Sequence, residues 1–551
     1  MAVSDASQPA PAWTAWSTDR PELTPAARRM LRHHLGAAQP LPESRLDAAR
    51  VPPSRLTAAA GDALREATDA GAVATDDAAR ARHAGGQSLV DLVRRRAGDG
   101  SAAPDAVVTP ADSAGVAAVL AVAGRHRLAV VPWGGGTSVV GGLDPVTGAH
   151  EAVIALDLSR LDRLVGIDEV SLTATFQAGI RTPAAEAELV KHGLTLGHAP
   201  QSWQRASLGG YVVTRSAGQA SSGIGRIDDL LVGARLVTPT GELTLPPIPS
   251  SAAGPDLRRV VLGSEGTLGV VTDVTLRVRR QPETSRYEAW VIGDWRRGQR
   301  LLRTLAQRGP LPDVLRLSDP RETALSMVLG ATPGWQRRAL AAWLRLHRID
   351  GGCLIVTGWE GTQDDVTHRR KLARKAFRSA GAVPIGSRGG ESWRRHRFSG
   401  PALRDSLLDS GVAVETLETA ALWSDLPAVD DAVRRTLADA LPGCLVGGHV
   451  SHLYPTGASL YFTVLFAIRE SDPDALIARW SAAKTAVTAA LVEAGGTVTH
   501  HHGVGTMHRD FATADLGGPV GRRVLAAVKH ELDPDDVCNP GKLLDGGVRT
   551  G

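Results

Sequence analysis

Three glycine-rich segments carry residue types that can bind a diphosphate. Each places consecutive backbone amides next to serine or threonine hydroxyls, and the segments are 132–138, 201–218 and 263–269. Bare amides approach anionic oxygens closely, and hydroxyls add further donors. None has the GxGxxG spacing between a strand and a helix that a Rossmann site needs. One such segment alone is more often a plain turn, but three in succession predict a nucleotide diphosphate site.

A second group of candidate residues is rich in histidine. Residues 500–502 are three adjacent histidines followed by Gly503, and His449 and His452 lie upstream. Imidazoles can carry protons, donate hydrogen bonds to phosphate or ligate a metal. Because neighbouring side chains on a strand point to opposite faces, three adjacent histidines cannot easily share one ion. We therefore expect catalytic or substrate-binding roles for them, and no metal.

Composition and charge exclude several classes of protein. The chain has 551 residues, enough for two to four domains, and its net charge of +4 is too small and too dispersed to indicate nucleic acid binding. Three well-separated cysteines indicate a reducing compartment. The sequence shows neither a secretory signal nor an uninterrupted apolar run of about 18 residues. We expect a cytoplasmic protein that a lipid substrate could bring to a membrane surface. The basic run 94–96 fits a solvated helix face or attraction to phosphate head groups.

The elements that must position these residues alternate between helix and strand. The predicted domains are an N-terminal helical segment (1–85), an α+β domain with the glycine segments (86–280), a second α+β domain (281–495), and a loop and helix that complete the first domain (496–551). Hydrophobic periodicity predicts the main elements. The predicted strands are 129–133, 152–157, 172–178, 230–238, 270–277, 287–292, 314–317, 354–359, 412–416 and 459–468. The predicted helices are 113–128, 183–192, 335–346, 362–379 and 474–494, with a further helix capped by Thr24 and started by Pro25.

The order of the glycine segments resembles that of the vanillyl-alcohol-oxidase family. The motifs are Pro-x-Gly-Gly-Gly-Thr-Ser, then Gly-Gly with Thr-Arg-Ser-Ala-Gly, then Gly-Ser-Glu-Gly-Thr-Leu-Gly. The resemblance implies an α+β fold with a two-subdomain FAD-binding domain of this type (PCMH type) and an α+β cap domain. The implied cofactor-binding residues are Pro132, Trp133, Gly134, Gly135, Gly136, Thr137, Ser138, Gln201, Ser202, Ser207, Gly209, Gly210, Thr214, Arg215, Ser216, Ala217, Ser264, Glu265, Gly266, Thr267, Leu268, Gly269 and Val270. Many members attach the flavin through a histidine where this chain has Thr137, so we expect non-covalent FAD.

The C-terminal half is similar to one branch of that family, the alkyldihydroxyacetonephosphate synthases. Hydroxyacid dehydrogenases of the family carry His-Gly-Asp-Gly-Asn-Leu-His and Glu-His-Gly-Ile-Gly, whereas this chain has Gly-His-Val-Ser-His-Leu-Tyr at 448–454 and His-His-His-Gly-Val-Gly at 500–505. Both departures match the synthases. Further matching elements are Leu315-Arg316-Leu317, Leu403-Arg404-Asp405, and Glu418-Thr419 with Trp423.

The resemblance implies a reaction and roles for particular residues. Acyl-dihydroxyacetonephosphate would exchange its fatty acid for a fatty alcohol through a flavin–substrate adduct, in ether-lipid synthesis. The implied catalytic residues are Tyr461, His500, His501, His502 and Arg316, and Arg404 is the implied contact to the substrate phosphate. Without the resemblance, Tyr461 would be assigned to a core strand and each arginine to the surface. A tyrosine titrates near ~10, so Tyr461 would need a lowered pKa to act as a base.

Two further expectations follow from the family. The alternative function is that of an FAD-linked oxidase or dehydrogenase acting on a 2-hydroxy acid or an alcohol, which the family base rate and the histidines favour. The expected partners are a small-molecule lipid substrate and a second copy of the chain in a homodimer. Peripheral contact with a membrane is consistent with such a substrate, and no nucleic acid is expected.

Overall fold

The computed structural model describes residues 12–69, 71–329, 334–349 and 351–544. The helices of the first half are α1 (Pro25–Leu35), α2 (Ala58–Ala67), α3 (Asp77–Arg82), α4 (Leu89–Arg96), α5 (Ser113–Arg125), α6 (Thr182–Val190), α7 (Leu208–Thr214), α8 (Ser221–Ile224), α9 (Ile227–Leu230) and α10 (Arg258–Val261). The helices of the second half are α11 (Trp295–Arg308), α12 (Pro320–Leu329), α13 (Gly334–Leu346), α14 (Gln363–Ser379), α15 (Ser387–His396), α16 (Gly400–Asp409), α17 (Leu426–Ala440), α18 (Pro473–Glu493) and α19 (Gly518–Leu532).

The strands form two groups along the chain. Those before residue 281 are β1 (Val73–Ala74), β2 (Ala106–Val108), β3 (Leu128–Trp133), β4 (Ala152–Asp157), β5 (Leu164–Asp168), β6 (Thr173–Gln177), β7 (Leu194–Thr195), β8 (Leu231–Thr238), β9 (Gly241–Leu245), β10 (Val270–Arg277) and β11 (Arg279–Arg280). Those after it are β12 (Thr284–Ile292), β13 (Val314–Ser318), β14 (Cys353–Gly361), β15 (Val383–Gly386), β16 (Val412–Leu422), β17 (Leu445–Leu453) and β18 (Gly457–Ala467).

Two sheets build the region that contains the glycine segments. The first has the order β1-β2-β4-β3, with β3 and β4 parallel, and α5 packs its buried valines against it. The second is antiparallel, in the order β5-β6-β10-β8-β9. The apolar runs of β3 and β4 are almost wholly buried, as is usual for parallel strands covered on both faces. The mixed architecture confirms the predicted α+β fold.

A seven-stranded antiparallel sheet forms the other half of the molecule, in the order β15-β12-β14-β13-β17-β18-β16. Strand β18 lies between β17 and β16, and side chains alternate between its two faces. Phe462 enters the hydrophobic core on one face, whereas Tyr461 and Thr463 line a cavity on the other. Helix α1 begins at Pro25 after the Thr24 cap, as predicted, and buries Leu31 and Leu35 against the edge of this sheet.

Helix α18 is long and apolar enough to cross a membrane by length and composition alone. In the structure it is a core helix, because Leu476, Trp480 and Val487 are buried in the cluster beneath the seven-stranded sheet. Its apolar face therefore has a partner inside the protein. The sequence pattern had predicted this helix at 474–494, close to its observed bounds.

Candidate active site

One cavity of about 1010 Å³ joins the glycine segments to the seven-stranded sheet. The predicted cofactor residues that line it are Pro132, Gly134, Gly135, Gly136, Thr137, Ser138, Gln201, Ser202, Ser207, Gly209, Gly210, Thr214, Ser216, Ala217, Glu265, Gly266 and Gly269. Further lining residues that the motifs did not single out are Gly142, Leu143, Tyr211, Val213, Gln219 and Val271. Motif reasoning finds the glycines and hydroxyls, but the apolar side chains between the motifs resemble any core residue.

The three glycine segments pack directly against one another. A Cβ at Gly135 would lie 2.0 Å from the carbonyl oxygen of Arg205, so only glycine lets the first segment rest on the second. Gly266 has a φ of +75°, and a Cβ there would lie 2.9 Å from Pro132, which links the third segment to the first. The Glu265 amide donates to the Val213 carbonyl at 2.9 Å. The segments thus form one cradle of exposed main chain, which fits a dinucleotide diphosphate.

Six predicted cofactor residues do not line the cavity; they pack behind the cradle. Trp133 contacts the His83 ring, and Arg215 pairs with Asp228 at 2.6 Å. The Thr267 hydroxyl donates to the Ser264 carbonyl at 2.7 Å. Leu268 and Val270 are buried in the cores of the two neighbouring sheets. Their side chains hold the shape of the segments, which explains why they share the motif without facing the cavity.

Tyr461 stands at the centre of the cavity wall formed by the sheet. Tyr461 lies on β18, which pairs with β17 on one side and with β16 on the other. His449 of β17 and Glu418 of β16 are the residues directly opposite Tyr461. The Tyr461 and His449 rings stack with centroids 4.9 Å apart, and the His501 ring lies 6.0 Å away. Enclosure in this wall raises the pKa of Tyr461 to about 12. The lowered pKa that Tyr461 would need to act as a base is therefore not found in the protein alone, because burial raises the pKa and the Glu418 and Glu415 carboxylates raise it further.

Glu418 organises the three adjacent histidines. Its buried carboxylate accepts the backbone N–H groups of His500, His501 and His502 at 2.8–3.2 Å, together with the Thr499 hydroxyl at 2.6 Å. His501 Nδ1 lies 3.2 Å from the same carboxylate. Burial alone would raise the pKa of Glu418, but the histidines around it hold that pKa well below its ordinary value. Only the family match pointed to Glu418 before the structure was known, since one glutamate in a strand has no local signature of this role.

Residues 500–502 lie in a loop and not on a strand. The expectation that their side chains alternate between two faces is therefore wrong, because the loop is wrapped around one carboxylate. The His500 and His501 Nδ1 atoms lie 2.9 Å apart, and Tyr454 contacts His500 Nε2 at 2.6 Å. His501 and His502 line the cavity, whereas His500 does not. Strand β17 adds a fourth ring, His452, beside this loop.

The two predicted arginines both reach the cavity but differ in their partners. Arg316 donates to Glu322 at 2.5 Å and lies 3.0 Å from His449 Nδ1, so a buried carboxylate fixes its position. The His449 and Arg316 charges lower the pKa of Glu322 to about 2, against the effect of burial, which would raise it. Arg404 donates to the Gln87 carbonyl at 2.6 Å, and within the described residues its buried Nε has no partner. Arg404 Nη2 also donates to the Gln87 side chain at 3.4 Å, and among the described residues Arg404, unlike Arg316, pairs with no carboxylate.

Part of the cavity lining is aliphatic, and we call this part the aliphatic arm. It is lined by aliphatic side chains from α12, α13, α16 and the sheet, namely Leu325, Met327, Leu329, Leu340, Leu354, Ile385, Leu403, Leu407, Val414 and Leu465. A surface of this kind takes up a hydrocarbon chain by removing both from water. The cavity therefore combines a diphosphate cradle, a Tyr–His wall, an arginine and an aliphatic arm.

Comparison with known proteins agrees with this arrangement. The model for the FAD binding domain matches residues 104–245, and that for the C-terminal domain of FAD linked oxidases matches residues 281–543. The alkyldihydroxyacetonephosphate synthase of Dictyostelium discoideum is 32% identical over 85% of this chain and 78% of its own. The chain belongs to the alkyldihydroxyacetonephosphate synthase family. It is accordingly an FAD-dependent enzyme.

Solved structures extend the comparison to the whole fold of the synthase family. A structure of alkyldihydroxyacetonephosphate synthase matches with a TM-score of 0.80 at 27% identity and covers 96% of this chain and 98% of that one. The structure of p-cresol methylhydroxylase matches with a TM-score of 0.68 at 16% identity over 88% of this chain and 96% of that one. The latter shows the fold alone and confirms the predicted PCMH-type class.

Proposed function

We propose that this protein exchanges the acyl group of acyl-dihydroxyacetonephosphate for a fatty alcohol, a step of FAD-dependent ether-lipid synthesis. The relatives support ether-lipid synthesis through their names. The observation that carries the finer proposal is that one cavity holds both Arg404, with an unpartnered buried donor among the described residues, and a long aliphatic arm. A small hydroxy acid would bind to Arg404 and leave the aliphatic arm exposed to water.

The cofactor would be held by the main chain of the three glycine segments, with Ser138, Ser207 and Thr214 as hydroxyl donors at the cavity wall. When bound, the flavin would supply an electron-accepting ring. Thr137 carries no group of the kind that forms the family's covalent histidine link, so we propose that FAD is bound non-covalently. Acid precipitation should then leave the yellow colour in the supernatant, and a yellow pellet would contradict the proposal.

Three side chains bind the substrate phosphate and transfer the protons of the exchange reaction. One C–O bond to the fatty acid breaks and one C–O bond to the alcohol forms, so no electrons are gained or lost overall. Arg404 binds the phosphate through its guanidinium, because each terminal nitrogen keeps one N–H beyond its bond to Gln87 and the Nε has no partner among the described residues. Tyr461 keeps its proton at neutral pH and can donate it to a substrate oxygen. His501 can accept the alcohol proton, because the Glu418 carboxylate at 3.2 Å stabilises the protonated ring.

The direct test is incubation of the holoenzyme with acyl-dihydroxyacetonephosphate and labelled hexadecanol, followed by lipid analysis. Label in alkyl-dihydroxyacetonephosphate with release of fatty acid is the expected result. The alternative function, oxidation of a hydroxy acid or alcohol, predicts stable anaerobic bleaching of the flavin by such a substrate. Bleaching without label transfer would replace the proposal with this alternative.

We further propose that α13 brings the enzyme to a membrane surface. The helix exposes Trp335, Trp343 and Leu346 to solvent, by 64%, 45% and 80% respectively, while Leu340 on the same helix lines the aliphatic arm. Exposed arginines accompany the aromatic rings, and Arg345 is one of them. An amphipathic helix with aromatic and basic residues binds at the interface of an anionic bilayer. A lipid chain could then enter the arm from the bilayer side. The homodimer and the cytoplasmic location stay predictions.

A further inference from the structure

Three imidazoles from two parts of the chain meet beside the cavity. His452 lies on β17, and His500 and His501 lie in the loop around Glu418; each offers one nitrogen, and these nitrogens are within 4.8 Å of one another. The His452 ring stacks on the His500 ring with centroids 5.0 Å apart and meets the His501 ring edge-on at 5.4 Å. The geometric objection to a shared ion, drawn from strand alternation, does not apply to this arrangement.

Each ring is also held from outside the cluster. Ser221 contacts His452 Nδ1 at 2.5 Å, Tyr454 contacts His500 Nε2 at 2.6 Å, and Glu418 lies 3.2 Å from His501 Nδ1. Hydroxyl and carboxylate partners of this kind fix the orientation of metal-binding histidines. The His500 and His501 Nδ1 atoms, which lie 2.9 Å apart, would have to give up their mutual contact to a shared ion.

We propose that His452, His500 and His501 bind one divalent transition-metal ion, with Zn²⁺ as the representative ion. Imidazole nitrogens suit this class of ion, and three of them leave one coordination position open. His452 and His501 line the cavity, so the open position faces it. A tetrahedral Zn²⁺ with bonds of about 2.0–2.1 Å places its nitrogen ligands roughly 3.4 Å apart. The three nitrogens, all within 4.8 Å of one another, would have to adjust to this spacing when the ion binds.

The ion would act on the exchange reaction through His501. A metal that occupies the free lone pair of His501 prevents that ring from accepting a proton. Zn²⁺ loading is therefore expected to slow the exchange, and a chelator is expected to restore it. This consequence rests on the proposed function, whereas the metal site itself does not.

The test measures Zn²⁺ binding directly on the FAD-loaded enzyme after removal of metals with a chelator. Competition with a chromophoric chelator should show one ion per chain, with affinity lowered at least about 100-fold in His452→Gln and about tenfold in Ser221→Ala, in the range found for losses of ligands and their supporting groups. The control is His192→Gln, at an exposed histidine paired with Glu169, which should bind as the unmodified protein does.

Two results would overturn the metal site. One is failure of the unmodified holoenzyme to take up an ion; the other is equal affinity in the Ser221→Ala and His192→Gln variants. If His452→Gln does not fold, as judged by flavin content and thermal unfolding, Ser221→Ala decides the question, because removal of one hydroxyl leaves all three rings in place. A chain that binds Zn²⁺ but exchanges no alcohol would contradict only the proposed function.

Discussion

At the scale of single residues, the site depends on how the surrounding protein changes the protonation and the hydrogen-bond partners of ordinary side chains. Tyr461 keeps its proton because the wall encloses it, and His501 gains a carboxylate partner because the chain loops around Glu418. The sequence could indicate the residue types from motif and family match. It could not give the direction of the Tyr461 pKa shift, which results chiefly from burial in the folded protein.

Loss of either proton-handling group should stop the exchange and leave the cofactor in place. We expect Tyr461→Phe and His501→Ala to lower alkyl transfer by about 100-fold or more, the range typical of general acid–base groups. Neither side chain belongs to the glycine segments, so FAD content should stay at that of the unmodified enzyme. The measurements are labelled-alcohol incorporation and the flavin-to-protein absorbance ratio. Full activity in both variants would remove these roles.

A substitution of Glu418 tests whether this residue both holds the histidine loop in place and stabilises a protonated His501. Glutamine has one acceptor oxygen for a set of donors that now share a carboxylate, and it cannot stabilise a protonated His501. Glu418→Gln should lower kcat/KM at least about tenfold, equivalent to ~1.4 kcal/mol, and change the pH profile of kcat. The control is Glu151→Gln, at an exposed acid paired with Arg127. An unchanged pH profile together with unchanged kcat/KM would contradict the assignment.

At the scale of elements, we expect FAD binding to depend on direct packing between the glycine segments. Gly135→Ala should abolish FAD retention, since the new Cβ would lie 2.0 Å from the Arg205 carbonyl and push two segments apart. The matched control is Gly124→Ala in α5, where a Cβ meets nothing within 4 Å and alanine favours the helix. Flavin absorbance after gel filtration checks both variants. Retention of FAD by Gly135→Ala would show that the cradle is not the cofactor site.

Glu265 joins the third glycine segment to the loop after the histidines. Its carboxylate accepts the Val504 and Gly505 amides at 2.6 and 2.8 Å, and burial, outweighing these bonds, raises its pKa to about 7. The ordinary pKa of this carboxyl, which applies in the unfolded chain, is 4.5. Because the folded protein raises this pKa, the group stabilises the fold fully below pH 4.5, and this contribution is lost as the pH rises through about 7. The loss is roughly 3 kcal/mol.

The neutral variant Glu265→Gln should lack this pH dependence. Chemical unfolding of both holoproteins at pH 5 and pH 8 should show the unmodified protein losing stability relative to the variant at the higher pH. Parallel stability curves for the two proteins would mean that Glu265 titrates in the same way when the chain is unfolded.

Helices and strands with a clear hydrophobic periodicity were predicted best. Strands β4 and β10 have the predicted bounds, and α18 differs by one residue at each end. Strand β17 was not predicted as a strand, because Gly447, Gly448 and two histidines give it low strand propensity. Its conformation is imposed by pairing with β13 and β18, a tertiary effect that no local window contains. The same pairing brings His449 to Tyr461, so the missed strand and the missed contact have one cause.

At the scale of the whole molecule, the cavity connects a cofactor region to an outer helix. If α13 meets the bilayer, Trp343→Ala should lower binding to phosphatidylglycerol vesicles several-fold, because a tryptophan at the interface contributes both apolar area and a hydrogen bond. Val170→Ala, at a residue 96% exposed in the β5–β6 turn, is the control and should bind as the unmodified protein does. Sedimentation with vesicles is the measurement. Equal binding by both variants would place the membrane contact elsewhere.

The pairing of β16, β17 and β18 also constrains how this chain can change in length. Because side chains alternate along β18, one residue inserted before Tyr461 within the strand would turn the phenol into the core and present Phe462 to the cavity. Relatives with the same chemistry should therefore differ in length at the connections around this sheet and keep these three strands free of insertions and deletions.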